Sequence, residues 1–182
     1  MQFTRLQFFS VLSTSIIYFS AFNLNQLVFS KFEFAPGVNW IFLPAGLRLV
    51  STLLLAEEGA IGIFIASLLI VCQTYPEMAG ITGIGAACIS AGAPYLTYRL
   101  ALLYGLPSSL HQLTAFKLTV LTVIYAATSA LLHQVWFVQR GISSSLLSGF
   151  GAMFTGDLAG TLIIIYVMKM LLALYRKRRD LN

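Results

Sequence analysis

The sequence predicts an all-α protein, a polytopic transmembrane helix bundle of about six spans. The first observation is composition: 58% of the 182 residues are hydrophobic and 9% are charged, with a mean hydropathy of +0.86. Soluble domains carry roughly 25% charged residues. The second observation is a series of six apolar segments separated by short breaks. A chain of this length holds one bundle. We therefore expect a transmembrane helical bundle over residues 1–175 and a basic cytoplasmic tail over residues 176–182.

The first two predicted spans differ in length and in the number of residues that interrupt a helix. Residues 6–29 are too long, and too polar at their far end, for a cleavable signal peptide, so we expect a retained helix. Residues 40–56 fall short of the ~20 residues that a span needs, and they contain Pro44, Gly46 and Arg48. Because proline lacks a backbone N–H, we expect this second span to be broken at Pro44.

Four further spans follow, and glycine or proline marks the turns after two of them. The charge distribution then predicts the orientation. With an even number of spans, Arg5, Arg99, Lys117, Lys169 and the basic tail lie on one side, against Lys31 and Arg140 on the other. Lysine and arginine accumulate in cytoplasmic loops, so both termini should be cytoplasmic. These four spans cover residues 59–75, 78–104, 116–138 and 146–175.

Two charges fall near the middle of the predicted bundle. Asp157 lies about 11 residues from the outer end of its span, and Arg48 about eight residues from the outer end of its own, at ~1.5 Å per residue. A carboxylate at the centre of a spanning helix costs about 2.5 to 3.5 kcal/mol. We therefore expect Arg48 and Asp157 to form an ion pair. The pair either locks two helices together or lines a cavity in which a ligand, ion or proton competes for one partner.

Small residues surround these charges. Gly156 and Gly160 form a GxxxG motif around Asp157, which permits close helix approach in membranes. Gly83 begins a similar small-residue repeat in the fourth span, where tight packing is the default interpretation. Asn39 and Trp40 lie at the outer interface, next to Pro44. We assign Pro44, Gly46, Gly83, Gly156 and Gly160 to helix packing, and Arg48, Asp157, Asn39 and Trp40 to the candidate ligand site or ion pair.

The stretches NWIFLPAGLRL (residues 39–49) and FTGDLAGTL (residues 154–162) together resemble the membrane-associated sensor domain, or MASE type, of bacterial signalling proteins. The resemblance rests on Trp40, Pro44, Ala45 and Gly46, and then on Gly156, Asp157 and Gly160. It implies a sensory or partner-binding bundle in the bacterial inner membrane. Family members usually have about eight spans and precede a histidine kinase or a cyclic-dinucleotide enzyme. This chain is shorter and ends at Asn182.

Other chemistry is sparse. His133 and His111 are isolated histidines, and a lone histidine is more often a hydrogen-bonding group than a pigment or metal ligand. Whether either ligates a pigment stays open, and no cofactor follows from the sequence. No nucleophile and base share a motif, so we expect no enzymatic activity. Four of the eleven basic residues form the juxtamembrane cluster Arg176–Arg179, which favours anionic lipid over nucleic acid as the partner of the positive charge.

Three classes of function remain open. The first is a membrane sensor or partner-binding subunit, possessing a polar site at Arg48 and Asp157. The second is the substrate-binding component of a vitamin-type importer. The third is an accessory subunit of a large respiratory or photosynthetic complex. In each class the expected partners are membrane lipid, other membrane proteins and, for the first two, a small molecule.

Overall fold

The computed structural model describes residues 4–105 and 114–179, and these form five α-helices. The predicted all-α fold is confirmed. Among the described residues, α1, α2, α4 and α5 are long and apolar enough to cross a membrane. The helices are α1 (Arg5–Phe29), α2 (Leu43–Thr74), α3 (Ile81–Leu103), α4 (Ala115–Gln139) and α5 (Leu146–Arg179).

Helix α2 contains two helices that run in opposite directions. Its backbone leaves the helical region at Ala56, where φ is 46° and ψ is −114°. We call residues 43–55 α2a and residues 57–74 α2b. A Cβ atom on Gly59 would lie 2.5 Å from the carbonyl oxygen of Ser51, eight residues earlier, which is possible only if the chain folds back. The expectation of a break at Pro44 was wrong. Pro44 lies in the first turn of α2, where no backbone N–H bond is needed.

Side-chain contacts with α1 show the two directions. The Leu43 N–H donates to Asn25 Oδ1 and Arg48 bonds to Tyr18, so α2a is antiparallel to α1. In contrast, Ser15 donates to the Gly62 carbonyl, and Gln26 near the end of α1 donates to Tyr75, so α2b is parallel to α1.

The remaining helices alternate in direction. Tyr95 of α3 donates to Glu57 at the start of α2b. Trp136 near the end of α4 donates to the Thr82 carbonyl near the start of α3. Ser129 of α4 donates to Asp157 of α5. Each helix is therefore antiparallel to the one before it.

A small β-hairpin lies at the end of the bundle where α2a begins. Strands β1 (Glu33–Ala35) and β2 (Val38–Asn39) pair antiparallel, and Gly37 supplies the positive φ of 77° that the turn requires. The Tyr75 hydroxyl, at the end of α2b, donates to Glu33 and accepts from Gln26. Burial raises the pKa of Tyr75, and so does the hydrogen bond to Glu33. This network attaches the hairpin to α1 and α2b. We call this end of the molecule the hairpin side.

Helix α5 has fully buried residues along its first half only. Its buried residues lie between Gly149 and Thr161, whereas none from Leu162 to Arg179 is buried. The second half is nevertheless apolar, and Leu171 and Leu172 are 56% and 55% exposed. The basic residues that the sequence assigned to a tail continue α5 as far as Arg179.

Candidate functional site

Arg48 is buried in the middle of the bundle, with 5% of its surface exposed. Helix α2a begins at Leu43 and packs against both α1 and α5. Arg48 lies on the inner face of α2a, toward these two helices. Its Nε donates to the Tyr18 hydroxyl over 2.6 Å. The guanidinium also lies over two rings, 5.3 Å from the centroid of Tyr18 and 5.1 Å from that of Phe42. Such cation–π contacts stabilise a desolvated arginine.

Asp157 is 1% exposed and comes from the opposite wall of the site. Its Oδ2 accepts a hydrogen bond of 2.7 Å from Ser129 on α4. No hydrogen bond or salt bridge joins it to Arg48, whose hydrogen-bond partner is Tyr18. The two charges are nevertheless close enough to interact electrostatically through the interior. The residues that the sequence proposed as an ion pair thus share one site without direct contact.

Tyr125 of α4 completes this group. It is fully buried, and its hydroxyl lies near the guanidinium of Arg48 and interacts with the charge of Asp157. The hydroxyl has no hydrogen-bond partner, and neither does Arg48 Nη1. We call Tyr18, Arg48, Tyr125, Ser129 and Asp157 the polar centre. Buried polar atoms are almost always hydrogen-bonded in proteins. The polar centre therefore has unused hydrogen-bonding capacity beside a charge.

Glycines bring α5 against the start of α2. A Cβ on Gly156 would strike the carbonyl oxygen of Asn39, and one on Gly160 would strike that of Phe42. The Gly156 carbonyl instead accepts a hydrogen bond of 3.2 Å from the Phe42 N–H. Gly46 of α2a likewise lies close to α5, because a Cβ added to Gly46 would lie 2.6 Å from Cβ of Ile164. Close backbone contact therefore positions Asp157 opposite Arg48.

The other residues that the sequence selected lie outside the polar centre. Trp40 is 43% exposed and packs edge-on against Phe34 of the hairpin. Pro44 is buried in the first turn of α2. Gly83 is buried on α3, where an added Cβ would meet the side chain of Val71.

In the part of the chain that the structure describes, the hairpin side of the bundle contains three buried amides, of which the sequence assigned only Asn39 to the candidate ligand site. Asn25 and Gln134 are fully buried, and Asn39 is 2% exposed. Nδ2 of Asn25, Oε1 of Gln134 and both side-chain polar atoms of Asn39 have no hydrogen-bond partner. For Asn25 and Gln134, the signal in the sequence was their polarity beside apolar segments.

His133 is buried in the bundle. Its Nδ1 lies 2.9 Å from the Ser129 carbonyl oxygen and its Nε2 lies 3.2 Å from the Ser90 hydroxyl. Both ring nitrogens therefore have protein partners, with Nδ1–H donating and Nε2 accepting. Among residues 4–105 and 114–179, no three histidine, cysteine or acidic side chains are grouped to hold a metal ion. His111 lies outside the described residues.

The chain was compared with protein-family models, with curated proteins and with solved structures, and no match was found in any of the three.

Proposed function

We propose that this chain is a non-enzymatic sensor or partner-binding subunit of the bacterial inner membrane. In this proposal the chain crosses the bilayer six times, with both termini in the cytoplasm, and the polar centre is its ligand site. The state of the polar centre passes along α5 to a partner protein.

The direction of the helices supports six crossings. Helices α1, α2a, α2b, α3, α4 and α5 alternate in direction, because α2 reverses at Ala56. The reversal also brings Glu57 close to Tyr95, near the cytoplasmic end of α3. The lysine and arginine distribution of the sequence then assigns this end, together with Arg176–Arg179, to the cytoplasm.

The observation that carries the proposal is the continuity of α5. Asp157 belongs to the polar centre, and the same uninterrupted helix extends to Arg179. This distance is about 33 Å at 1.5 Å per residue. Beyond Thr161 the helix has no buried residue among those described, although it is rich in leucine, isoleucine and methionine. A shift or rotation of α5 at Asp157 would therefore change the position of a free apolar surface at the cytoplasmic end.

The resemblance to the MASE type supports a sensor over the two other classes. The resemblance includes Asp157 and the glycines that seat α5 on the start of α2. In MASE-type proteins an effector follows the last helix, and the free half of α5 offers a surface on which an effector can dock. The two other classes, an importer component and an accessory subunit, also require a partner protein. The identity of that partner therefore distinguishes the three classes of function.

The test is native purification in mild detergent, followed by identification of the co-purifying proteins. A histidine kinase or a cyclic-dinucleotide enzyme is expected. An energising transporter module would instead support the importer class, and a respiratory or photosynthetic complex the accessory class. Purification without any stoichiometric partner would contradict the partner-binding role.

A pair of double variants tests the role of α5. Leu171→Ser with Leu172→Ser should release the partner, because both side chains belong to its free apolar half. The matched control is Ile16→Ser with Ile17→Ser on α1, since these residues are 57% and 53% exposed. Equal loss or equal retention of the partner in the two double variants would exclude α5 as the docking helix.

A further inference from the structure

The unpartnered polar atoms of the bundle are concentrated on one side. Among the described residues, they lie at the level of Arg48 or between that level and the hairpin. Such atoms normally bond to ordered water or to a ligand. Among the described residues, the unused hydrogen-bonding capacity therefore extends from the polar centre toward the hairpin side. The residues concerned are Asn25, Gln26, Asn39, Arg48, Ser67, Tyr125, Gln134 and Thr161.

The two charges of the polar centre define the chemistry of that guest. Arg48 Nη1 and the nearby Tyr125 hydroxyl make no hydrogen bond of good geometry, so this side of the centre presents hydrogen-bond donors and positive charge. The opposite side presents the carboxylate of Asp157, which has one hydrogen bond from Ser129. A direct Arg48–Asp157 bond would consume both charges, and that bond is absent.

We infer that the polar centre binds a small zwitterion of the amino-acid type, admitted from the hairpin side. The inference rests on the proposed function and names its ligand class. The ligand carboxylate accepts from Arg48 Nη1 and the Tyr125 hydroxyl, and the ligand ammonium donates to Asp157. Charge balance supports this choice. A simple anion would leave two negative charges against one arginine, and a simple cation would leave two positive charges against one aspartate. A zwitterion keeps the buried site neutral, which limits the desolvation penalty.

The experiment uses the purified full chain and glycine, the smallest zwitterion, as the probe. Thermal unfolding is followed at increasing glycine concentration, because a ligand of the folded state raises Tm with its concentration. Sodium acetate and methylammonium chloride supply each charge alone at matched ionic strength. We expect glycine to raise Tm and each single-charge probe to have a smaller effect.

Variants locate the binding. Arg48→Gln and Asp157→Asn should each abolish the response to glycine. Since these variants can also lose their fold, Tyr125→Phe is the milder change, and we expect it to weaken glycine binding by about tenfold, the effect of losing one hydrogen bond to a charged group. Thr97→Val is the control. Thr97 is 2% exposed and donates only to the Ala93 carbonyl of its own helix, so this variant should respond like the wild type.

Three results would overturn the inference. The first is a Tm that glycine raises no more than the single-charge probes do. The second is stabilisation by acetate alone, which would make the site an anion site. The third is an unchanged glycine response in Tyr125→Phe. None of these results bears on co-purification of a partner, so failure of the ligand class and failure of the proposed function remain distinguishable.

Discussion

Ser51 of α2a and Gly59 of α2b lie so close together that a Cβ on Gly59 would lie 2.5 Å from the Ser51 carbonyl oxygen. In an uninterrupted helix, two residues eight positions apart in the sequence are separated by about 12 Å along the axis. The contact depends on Ala56, the only residue other than glycine with a positive φ in the described chain. The pair therefore defines the reversal that turns one apolar stretch into two antiparallel helices.

Substitutions at this reversal should have opposite effects. Gly59→Ala should lower the free energy of unfolding by about 1–3 kcal/mol, because the new methyl group meets backbone that cannot move away. Ala56→Gly should raise it by up to about 1 kcal/mol by removing the steric cost of a positive φ. Unfolding in mixed detergent micelles measures both. Gly92→Ala is the control, since nothing lies within 4 Å of its added Cβ. Equal effects of Gly59→Ala and Gly92→Ala would mean that the reversal is absent.

The glycines of α5 provide a second comparison within one helix. Gly156→Ala and Gly160→Ala should each destabilise the protein by about 1–3 kcal/mol, because each methyl group meets a carbonyl oxygen at the start of α2. Gly151→Ala has nothing within 4 Å of its Cβ, so its higher helix propensity should keep it neutral or raise stability by up to about 1 kcal/mol. Thermal unfolding of the three variants gives the order. If Gly151→Ala were as harmful as the others, close contact of α5 with α2 would not explain these glycines.

Arg48 and Asp157 should be energetically coupled even without contact. Arg48→Ala and Asp157→Ala should each lower the free energy of unfolding, since each removes the opposite charge that offsets the burial of the other. The double variant should cost less than the sum, and the double-mutant cycle measures the difference. Strictly additive losses would show that Tyr18 and Ser129 alone satisfy the two charges.

Cysteine labelling tests the six crossings. In a background with Cys72→Ala and Cys88→Ala, the reagent should reach Ser144→Cys from outside the cell. Glu57→Cys and Arg179→Cys should label only after permeabilisation, because the reversal at Ala56 and the end of α5 lie on the cytoplasmic side in the proposed topology. Outside labelling of Glu57→Cys would contradict six crossings even if the other two positions behaved as expected.

Loss of the Tyr75 hydroxyl should loosen the hairpin. Tyr75→Phe removes the bonds to Glu33 and Gln26, at a cost of about 1–3 kcal/mol where the remaining partners stay buried. Val38, which is 1% exposed, reports on opening when it is changed to cysteine in the background without native cysteines. Its labelling rate should rise in Tyr75→Phe and stay constant in Tyr104→Phe, because Tyr104 is 89% exposed.

Hydrophobicity and breakers predicted the helices well. The expected span over residues 6–29 corresponds to α1 (Arg5–Phe29), and the expected span over residues 116–138 to α4 (Ala115–Gln139). The expected spans over residues 40–56 and 59–75 leave their turn beside Ala56, where the chain reverses. The break expected at Pro44 was wrong, because the first turn of a helix tolerates proline. The backbone reverses at Ala56, an alanine that tertiary packing holds at a positive φ.

The polar centre was only partly predictable. Counting residues from the membrane surface gave the depths of Arg48 and Asp157, but not the directions of their side chains. Their hydrogen-bond partners, Tyr18 and Ser129, are hydroxyls within apolar segments, and such residues are ordinarily packing residues. Only the arrangement of α1, α2a, α4 and α5 around one point makes them partners. The β-hairpin was missed because its strands are too short for a clear alternating pattern.

The reversal at Ala56 has a consequence for biogenesis. Helix α2a, residues 43–55, measures about 20 Å at 1.5 Å per residue, which is short of the ~30 Å hydrocarbon core. It also carries Arg48, so it cannot be a stable insertion unit during synthesis. In the proposed topology, residues 43–74 should therefore insert together as a helical hairpin after α1, which holds Tyr18, the hydrogen-bond partner of the guanidinium. In chain order, α1 therefore supplies the first partner of the guanidinium, Tyr18, whereas the opposite charge of Asp157 arrives only with the last helix.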